Sequence, residues 1–534
     1  MSEPDQLRLG AIDIGTNTIR LVVVEVEDDG TYRVLENERE MTRLGHGLYE
    51  SGRLSEESME LSLQALGRMK TIAEGLGVTE LQAIATAAVR EASNGRTFRR
   101  RAERQHGLRI RVINSREEAR LAFLSFARQF SLDGRPVAMV DIGGGSVEVV
   151  LAAGTLIDRV YSLPLGALRL TEGWLHNDPI TKKDWSRLKK TIDNTIKRRI
   201  GKPPFKVQTL VGSGGTFSTL GSIAKSQREG NIGSVQGYSL SRVQAVEILR
   251  RLRQATIEER RQMGGLSPDR ADIIVAGIAV IARLAKHLGC SEIRVNEGGV
   301  REGLFLSMIA ERRKGKRAAA AISDRMEWVR KFARKSHWNE AHCEHVANLS
   351  IQIFDCLQQK FDLPEPGREI LQAAALLHDI GYLIGHAKHH KHAYHLIMYG
   401  DLPAFSAREV ELIANVARYH RRAFPKKSHT NFARLQKSDR RLVRNLSGIL
   451  RVADGLDRAH AQSVTSIACH VNKNRISMRV EAEAPPQVEL WDANRKAGLL
   501  EKVLDRRLEL EWAGADAAAV LETRVDRPGT GRKS

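Results

Sequence analysis

The sequence has little of what marks an exported, membrane-spanning or disulfide-stabilised protein. Its 534 residues include four cysteines, which are far apart and form no C-x-x-C pair. The longest apolar run, residues 273–282, is too short to cross a bilayer. The first residues, MSEPD, lack the basic and apolar regions of a signal peptide. We therefore expect a reduced cytoplasmic protein with no export signal and no membrane span.

Aromatic residues are also scarce, at 5% of the chain, whereas basic residues are abundant. The 84 Lys and Arg residues outnumber the 64 Asp and Glu residues, which gives a formal charge of +20. This imbalance favours an anionic partner, and the spread of basic clusters through several regions favours a long polyanion. Nucleic acid is not the expected partner, because no basic segment is interleaved with the aromatic residues that stack on bases.

Glycine turns that follow apolar runs are the main motifs of the first half. Residues 141–148 read DIGGGSVE between two apolar runs, and residues 13–18 read DIGTNT in the same setting. The backbone N–H groups of such turns can surround phosphate oxygens, and carboxylates such as Asp141 and Glu148 suit a hard cation. A single glycine cluster would equally fit an ordinary turn between buried strands. Because the motif occurs twice, we predict two duplicated half-domains that face each other across a cleft.

The segment between these two hairpins supplies a helix, a strand and a basic candidate. Residues 54–76 have helical apolar spacing with Ser55 as a predicted N-cap, and residues 81–85 resemble a strand. Arg90 follows that strand and can bind a phosphate bidentately. On its own, Arg90 fits a surface salt bridge equally well.

An acidic helix start and two further glycine turns complete the first half. Glu117 and Glu118 lie in the first turn of a helix for which Ser115 is the predicted N-cap. Carboxylates are favourable at that place whether or not they do chemistry. Residues 212–216 read GSGGT between a strand and a helix, where a phosphate or nucleotide can bind. Residues 296–299 form a fourth polar glycine turn, NEGG.

Roughly the first 310 residues resemble the exopolyphosphatase and guanosine pentaphosphate phosphohydrolase family. Five segments stand in the family's order, namely DIGTNT, residues 86–92 with Arg90, residues 115–120 with Glu118, DIGGGSVE and GSGGT. The resemblance implies the actin, sugar-kinase and Hsp70 superfold, in which two ribonuclease-H-like α/β domains surround a phosphate-binding cleft. We place these domains at residues 1–125 and 126–310.

The resemblance also implies a role for each motif. Glu118 would be the catalytic base that orients a water for in-line attack on a terminal phosphoryl group, and Arg90 would neutralise charge. Asp141 and Glu148 would hold Mg²⁺ directly or through water. The residues expected to bind phosphate oxygens are Asp13, Gly15, Thr16, Asn17, Gly143, Gly144, Gly145, Ser146, Gly212, Ser213, Gly214 and Gly215.

The function implied is a Mg²⁺-dependent exopolyphosphatase that releases orthophosphate from the ends of inorganic polyphosphate. An alternative on the same site is hydrolysis of guanosine pentaphosphate to the tetraphosphate, and one protein can carry both activities. More remote alternatives are an ATP-dependent kinase of the same superfold and a non-enzymatic sensor of nucleotides or polyanions. The resemblance further implies a homodimer, and a monovalent cation is an additional candidate cofactor.

The second half of the chain changes to a mainly helical pattern. Residues 312–317 are predicted to form a basic linker, and residues 318–460 an all-α domain. The segments with broad apolar faces are residues 326–335, 339–360, 369–377, 407–419 and 441–454. The histidine-rich run at residues 386–395 fits a basic surface.

Histidines and acids within these helices suit a divalent metal. His342, the adjacent pair His378 and Asp379, and Asp454 stand in the order of an HD-type metal-dependent phosphohydrolase domain. The candidates for extra ligands are His392 and His420. We predict an HD-like domain that binds a second divalent metal. The alternative is that these residues bind no metal and instead form a cleft for polyphosphate.

A third pattern follows at the C-terminus. Residues 464–471, 475–480 and 508–512 are predicted strands and residues 493–506 a predicted helix, which together indicate a small α/β domain at residues 461–515. Residues 516–534 are predicted to be disordered.

Overall fold

The structure is a computed structural model that describes residues 7–27, 31–130, 134–229, 233–318, 325–336 and 338–514. It divides into two compact units, Met1–Ala321 and Ile322–Ser534. The finer domain boundaries predicted from the sequence stay predictions, and the predicted disordered tail lies outside the described residues. No helix in the described ranges combines the length and the apolar character that crossing a membrane requires.

The first unit begins with a five-stranded mixed sheet. Its strands are β1 (Leu7–Ile14), β2 (Ile19–Val26), β3 (Tyr32–Glu40), β4 (Glu80–Ala85) and β5 (Ile110–Val112). The order across the sheet is β3-β2-β1-β4-β5, with β1, β2 and β3 antiparallel and with β4 and β5 parallel to β1. The DIGTNT motif forms the turn between β1 and β2, as the sequence pattern predicts.

The helices around this sheet are α1 (Leu48–Ser51), α2 (Glu56–Gly75), α3 (Ala87–Glu91), α4 (Gly95–His106) and α5 (Ser115–Gln129). The predicted N-cap of α2 is confirmed, because Ser55 accepts a hydrogen bond from the N–H of Ser58. The predicted N-cap of α5 is wrong by one residue. The Asn114 side chain, rather than Ser115, accepts the N–H of Glu117 at 2.9 Å, so Ser115 is already helical. Asparagine is as good an N-cap as serine.

The second sheet repeats the order of the first. Its strands are β6 (Pro136–Ile142), β7 (Val147–Ala153), β8 (Leu156–Leu163), β9 (Thr209–Ser213), β10 (Ser239–Ser241) and β11 (Glu292–Val295). The strand order β8-β7-β6-β9-β11 matches β3-β2-β1-β4-β5 in both position and direction, and β10 adds an antiparallel edge. This repeat is the duplication that the two Asp-Ile-Gly hairpins predict.

The helices of this second half of the first unit are α6 (Ala167–Trp174), α7 (Lys182–Arg199), α8 (Gly215–Glu229), α9 (Arg242–Gln254), α10 (Ile257–Arg261), α11 (Ile274–Leu288) and α12 (Val300–Ala318), with a 3₁₀ turn at Pro268–Arg270. The basic linker predicted at residues 312–317 is wrong, because α12 continues through that segment. Lysine, arginine and alanine are strong helix formers, so a basic run does not by itself end a helix. Helix α12 packs against α5 and β1.

The second unit is helical up to residue 455. Its helices are α13 (Arg325–Arg334), α14 (Glu340–Phe361), α15 (Pro366–Leu377), α16 (His389–Tyr399), α17 (Ala407–Arg418), α18 (Thr430–Ala433) and α19 (Lys437–Gly455), with a 3₁₀ turn at Ile380–Leu383. All predicted helical segments are confirmed as helical. The predicted basic surface at the histidine run is wrong in part, because α16 begins there and buries His389, His390 and His392.

A three-stranded sheet completes the second unit. Strands β12 (Val464–Val471), β13 (Arg475–Ala482) and β14 (Arg507–Trp512) are hydrogen-bonded in that order. The single helix predicted over residues 493–506 is wrong, because α20 (Gln487–Lys496) ends before α21 (Gly498–Leu504) begins. The break falls next to Gly498, and glycine is a poor helix former.

Candidate active site

A cleft of about 100 Å³ lies between the two hairpin turns of the first unit. The turns approach closely, since a Cβ atom on Gly144 would lie 3.0 Å from the Cβ of Thr16. Glu118 and Asp141 also line this space, which we call the acidic cleft. The predicted phosphate-binding residues that line it are Asp13, Gly15, Thr16, Asn17, Gly143, Gly144, Gly145, Ser146, Gly214 and Gly215.

Two predicted phosphate-binding residues lie behind the acidic cleft instead. Gly212 makes room for the ring of Phe217, which would lie 2.0 Å from a Cβ atom at this position. Ser213 donates a hydrogen bond from its hydroxyl to Oδ1 of Asp141 at 2.8 Å. The structure therefore gives both residues a supporting position, since the cleft itself begins at Gly214.

The two hairpin turns are built alike, and the first of them contains buried polar side-chain atoms without a partner. The N–H of Gly15 donates to the carbonyl of Thr18, and the N–H of Gly143 donates to the carbonyl of Ser146, both at 3.0 Å. Among the described residues, Oδ1 of Asp13 and both polar side-chain atoms of Asn17 are buried without a hydrogen-bond partner. Buried polar atoms without partners destabilise a fold, so these atoms indicate that the cleft binds a polar ligand.

Glu118 is a buried carboxylate held by an arginine. Its residue is 6% exposed, and Nη1 of Arg90 donates both to Oε2 of Glu118 at 2.9 Å and to the carbonyl of Ile113 at 2.8 Å. Burial raises the pKa of Glu118 to about 7, although Arg90 lowers it. Arg90 is not among the residues that line the acidic cleft. Its position orients Glu118, whereas the sequence suggested direct contact with phosphate.

Carboxyl groups lie close together at the acidic cleft, where Asp13, Glu118 and Asp141 line the space and the predicted metal ligand Glu148 does not. Burial raises the pKa of Asp13 to about 6 and also raises the pKa of Asp141. The pKa of Glu148 is raised well above its usual value by burial and by the neighbouring carboxylates of Glu118 and Asp141. Ser162 donates to Oε1 of Glu148 at 3.0 Å. Such crowding of like charges is relieved by a cation, for which carboxylate oxygens are suitable ligands.

A second cavity of about 540 Å³ shares residues with the acidic cleft. Arg20, Arg39, Arg270 and Arg301 line it, and we call it the arginine groove. Burial lowers the pKa of Arg270 to about 9, which leaves its guanidinium charged at neutral pH. The sequence-based prediction missed these arginines, although Arg20 gave a signal, because it is a charged residue opposite Asp13 in a mostly apolar strand.

The predicted metal ligands of the second unit, apart from His392, come together in one buried cluster. Nε2 of His378 lies 3.6 Å from Oδ2 of Asp379 and 3.7 Å from Oδ1 of Asp454. Nε2 of His342 lies 3.7 Å from the same oxygen of Asp454. Nε2 of His420, one of the two extra candidates, lies 3.8 Å from Oδ1 of Asp379.

The prediction of His392 as the other extra ligand is wrong by about one helical turn. His389, rather than His392, brings its Nε2 atom to within 3.2 Å of Oδ1 of Asp379. His389 begins α16 next to the cluster, and His392 lies about 4.5 Å further along the helix axis. His392 is buried, but it belongs to neither of the residue groups that can hold a metal ion in the described structure.

Known proteins resemble both units. Residues 22–312 match the Ppx/GppA phosphatase family, and residues 325–497 match Ppx/GppA phosphatase, domain III. Exopolyphosphatase 1 of Mycobacterium leprae is 31% identical over 310 residues, which cover 56% of this chain and 89% of the relative. Guanosine-5'-triphosphate,3'-diphosphate pyrophosphatase of Aliivibrio fischeri is 26% identical over 422 residues, which cover 78% of this chain and 80% of the relative.

A solved structure extends the likeness to three dimensions. The crystal structure of an exopolyphosphatase from Cytophaga hutchinsonii is 27% identical and has a TM-score of 0.54, covering 57% of this chain and 98% of that chain. The relation of the helical unit to HD-type proteins stays a prediction. The match over residues 22–312 spans more than half of the 534 residues, and the chain therefore belongs to the Ppx/GppA phosphatase family.

Proposed function

We propose that the protein is an exopolyphosphatase, which hydrolyses the terminal phosphoanhydride bond of inorganic polyphosphate. The observation that carries the proposal is the continuity between the acidic cleft and the arginine groove, which share Arg20, Arg270 and Arg301. A linear polyanion that enters the cleft with its terminal phosphoryl group would place its following phosphates among these guanidinium groups. The name of the Mycobacterium leprae relative supports the same substrate.

In the proposed reaction, Glu118 acts as the general base. It takes a proton from a water whose oxygen attacks the terminal phosphorus, while the bond from that phosphorus to the bridging oxygen breaks and the shortened chain leaves with the electron pair. A base with a pKa of about 7 is well matched to neutral pH. Arg90 holds the carboxylate in place, and the N–H groups of the two hairpin turns stabilise the phosphoryl oxygens.

Mg²⁺ fits the acidic cleft by donor chemistry, because the partnerless Oδ1 of Asp13 and the crowded carboxylates call for a cation. Asp141 and Glu148, with Asp13 as their neighbour, would hold the ion. It would supply charge neutralisation of the substrate phosphates. In the described part of the chain, no three of these carboxylates bring ligand atoms within 4.8 Å of one another. The protein would thus provide part of the coordination shell, as is usual for Mg²⁺.

A second candidate function is the hydrolysis of guanosine pentaphosphate at the same site. The observation that favours it is the match to the Aliivibrio fischeri pyrophosphatase, which spans 78% of this chain and so extends into the second unit. Both substrates present terminal phosphates followed by further negative charge, so the arginine groove suits either one.

The substrate test compares phosphate release from the two compounds by the intact protein. We expect a higher kcat/KM for polyphosphate, and the substitutions Arg39→Gln and Arg270→Gln should raise KM for it. The matched control is Arg250→Gln, which removes an exposed arginine paired with Glu247 on α9. A clear preference for guanosine pentaphosphate would replace the proposal by its alternative. Absence of phosphate release from both compounds would refute the two together.

A further inference from the structure

Two of the four cysteines come together within the second unit. Cys356 lies in the second half of α14, Cys469 lies on β12, and both residues are partly exposed. They are more than a hundred positions apart in the sequence, so no spacing motif links them. The fold packs α14 against β12, and two contacts along this interface show which residues of the helix and the strand face each other.

One face of α14 follows β12 along its length. Positions 345, 349, 352 and 356 are spaced by three or four residues, which places them on the same side of the helix. The His345 side chain lies against the backbone of Val464. Further along, Oε1 of Gln352 accepts a hydrogen bond from the N–H of Ile467 at 2.8 Å. Because these contacts advance along both elements together, α14 and β12 run in the same direction.

The next residues along the helix and the strand are the two cysteines. From Gln352 to Cys356, α14 advances about 6 Å, at about 1.5 Å per residue. From Ile467 to Cys469, β12 advances about 6.6 Å, at about 3.3 Å per residue, and side chains two positions apart lie on the same face of a strand. Cys356 therefore lies opposite Cys469, and their sulfur atoms are within bonding reach of each other.

The other two cysteines have different surroundings. Cys290 and Cys343 are 1% and 0% exposed, and burial raises the pKa of the Cys290 thiol to about 12. A buried thiol is a poor nucleophile, because the thiolate is the reactive form and the reagent must reach it. A thiol reagent in solution therefore meets the pair formed by Cys356 and Cys469 before it meets either buried cysteine.

We propose that Cys356 and Cys469 are a reversible dithiol–disulfide pair that reacts with a small-molecule disulfide such as oxidised glutathione. The thiolate of one cysteine attacks a sulfur of the reagent, which forms a mixed disulfide and releases one glutathione thiolate. The thiolate of the other cysteine then attacks the cysteine sulfur of the mixed disulfide and releases the second glutathione thiolate. The protein loses two electrons and two protons, and the reagent gains them as two thiols. An excess of reduced glutathione reverses both steps.

The disulfide would change the stability of the second unit. It joins α14 to the three-stranded sheet, and it closes a loop that contains most of the helices of this unit. A disulfide stabilises a protein mainly by restricting the unfolded chain, and the effect grows with the length of the loop. For a loop of this size we expect the melting temperature of the unit to be roughly 5–10 °C higher in the oxidised protein than in the reduced protein.

The test counts thiols in the full-length protein. Reduced protein, freed of reductant, is equilibrated at increasing ratios of oxidised to reduced glutathione, alkylated with N-ethylmaleimide under denaturing conditions and weighed by mass spectrometry. The wild type should lose two alkylatable thiols without retaining glutathione, and dithiothreitol should restore both. Cys469→Ser should instead accumulate one glutathione on Cys356, because the thiol that displaces it is missing. The matched control Cys343→Ala, on the same helix as Cys356, should lose two thiols like the wild type.

Thermal unfolding gives a second readout, and neither readout depends on turnover. The oxidised wild type should melt at a higher temperature than the reduced wild type, whereas Cys469→Ser should melt at the same temperature with and without dithiothreitol. Cys343→Ala should keep the difference between its two redox states even if the loss of a buried side chain lowers both melting temperatures. A wild type that keeps all four thiols in excess oxidised glutathione, or that retains glutathione on Cys356, would overturn the proposal. Loss of the disulfide in Cys343→Ala would overturn it as well.

Discussion

Glu118 experiences two opposing influences that together set its chemistry. Removal from water raises the pKa of its carboxyl, and the adjacent guanidinium of Arg90 lowers it, with the result that the pKa is about 7. A carboxylate at the ordinary pKa of about 4.3 would be a weaker base. The neighbouring Glu117 lies one position away on the same helix but pairs with Arg111 at the exposed side.

The pair of adjacent glutamates provides a matched mutational test. Glu118→Gln should lower kcat for phosphate release by about 10²–10⁴-fold, because an amide cannot accept the proton from water. Glu117→Gln should keep most of the activity. Phosphate release from polyphosphate measures both, and equal melting temperatures confirm folding. Turnover by Glu118→Gln at the wild-type rate would rule out its role as base.

The dependence of turnover on pH tests the role of Arg90. A general base must be deprotonated, so kcat/KM should fall as the pH drops through the pKa of Glu118 near 7. Removing the positive charge in Arg90→Gln raises that pKa, and the acidic limb of the profile should therefore move to higher pH. Arg111→Gln, which removes the partner of Glu117, serves as the control. Identical profiles for the wild type and Arg90→Gln would mean that Arg90 does not tune the base.

At the scale of secondary-structure elements, local sequence patterns predict the hairpins but not the residues that only folding brings together. The hairpins at residues 13–18 and 141–148 were found because apolar runs and a glycine turn are encoded within a few neighbouring residues. The arginine groove was not predicted from the sequence, because Arg20, Arg270 and Arg301 lie far apart in the chain. Only folding brings these residues, which span more than half of the chain, together. His389 was missed for a related reason, since an imidazole in a basic run looks solvated until packing buries it.

Helix α8 begins with Gly215, and the absence of a side chain there leaves room for Arg270 in the arginine groove. A Cβ atom on Gly215 would lie 1.8 Å from Nη2 of Arg270, so Gly215→Ala should push that guanidinium out of place. We expect KM for polyphosphate to rise several-fold with a smaller change in kcat. Gly173→Ala in α6, where a Cβ atom meets nothing within 4 Å, is the control. Equal KM values for the two variants would show that Arg270 does not contact the substrate.

For the whole molecule, the two units offer different ligand chemistry. The first has carboxylates and guanidinium groups that suit Mg²⁺ and phosphates, whereas the second has imidazoles around one central carboxylate. The formal charge of +20 extends this preference for anions to the surface of the protein. A charge of this size attracts polyanions over distances longer than any single contact.

Ionic strength should therefore weaken the use of polyphosphate. Salt screens attraction between exposed charges, with a Debye length of about 10 Å at 0.1 M and about 3 Å at 1 M. We expect KM to rise steadily with KCl concentration, and to rise more for long chains than for short ones, while kcat changes little. Initial-rate kinetics at constant free Mg²⁺ measure this effect. A KM independent of salt would indicate that the surface charge plays no part in binding.

Gly303 allows α5 and α12 to touch, because a Cβ atom at this position would lie 1.8 Å from the carbonyl oxygen of Leu121. Helix α5 carries Glu118, and α12 carries Arg301 two residues before the contact. The close contact between these helices thus sets the spacing between the proposed base, Glu118, and Arg301 of the arginine groove. Position 303 touches neither water nor substrate in the proposed reaction, yet its tolerance to mutation should be as low as that of a residue in the reaction itself.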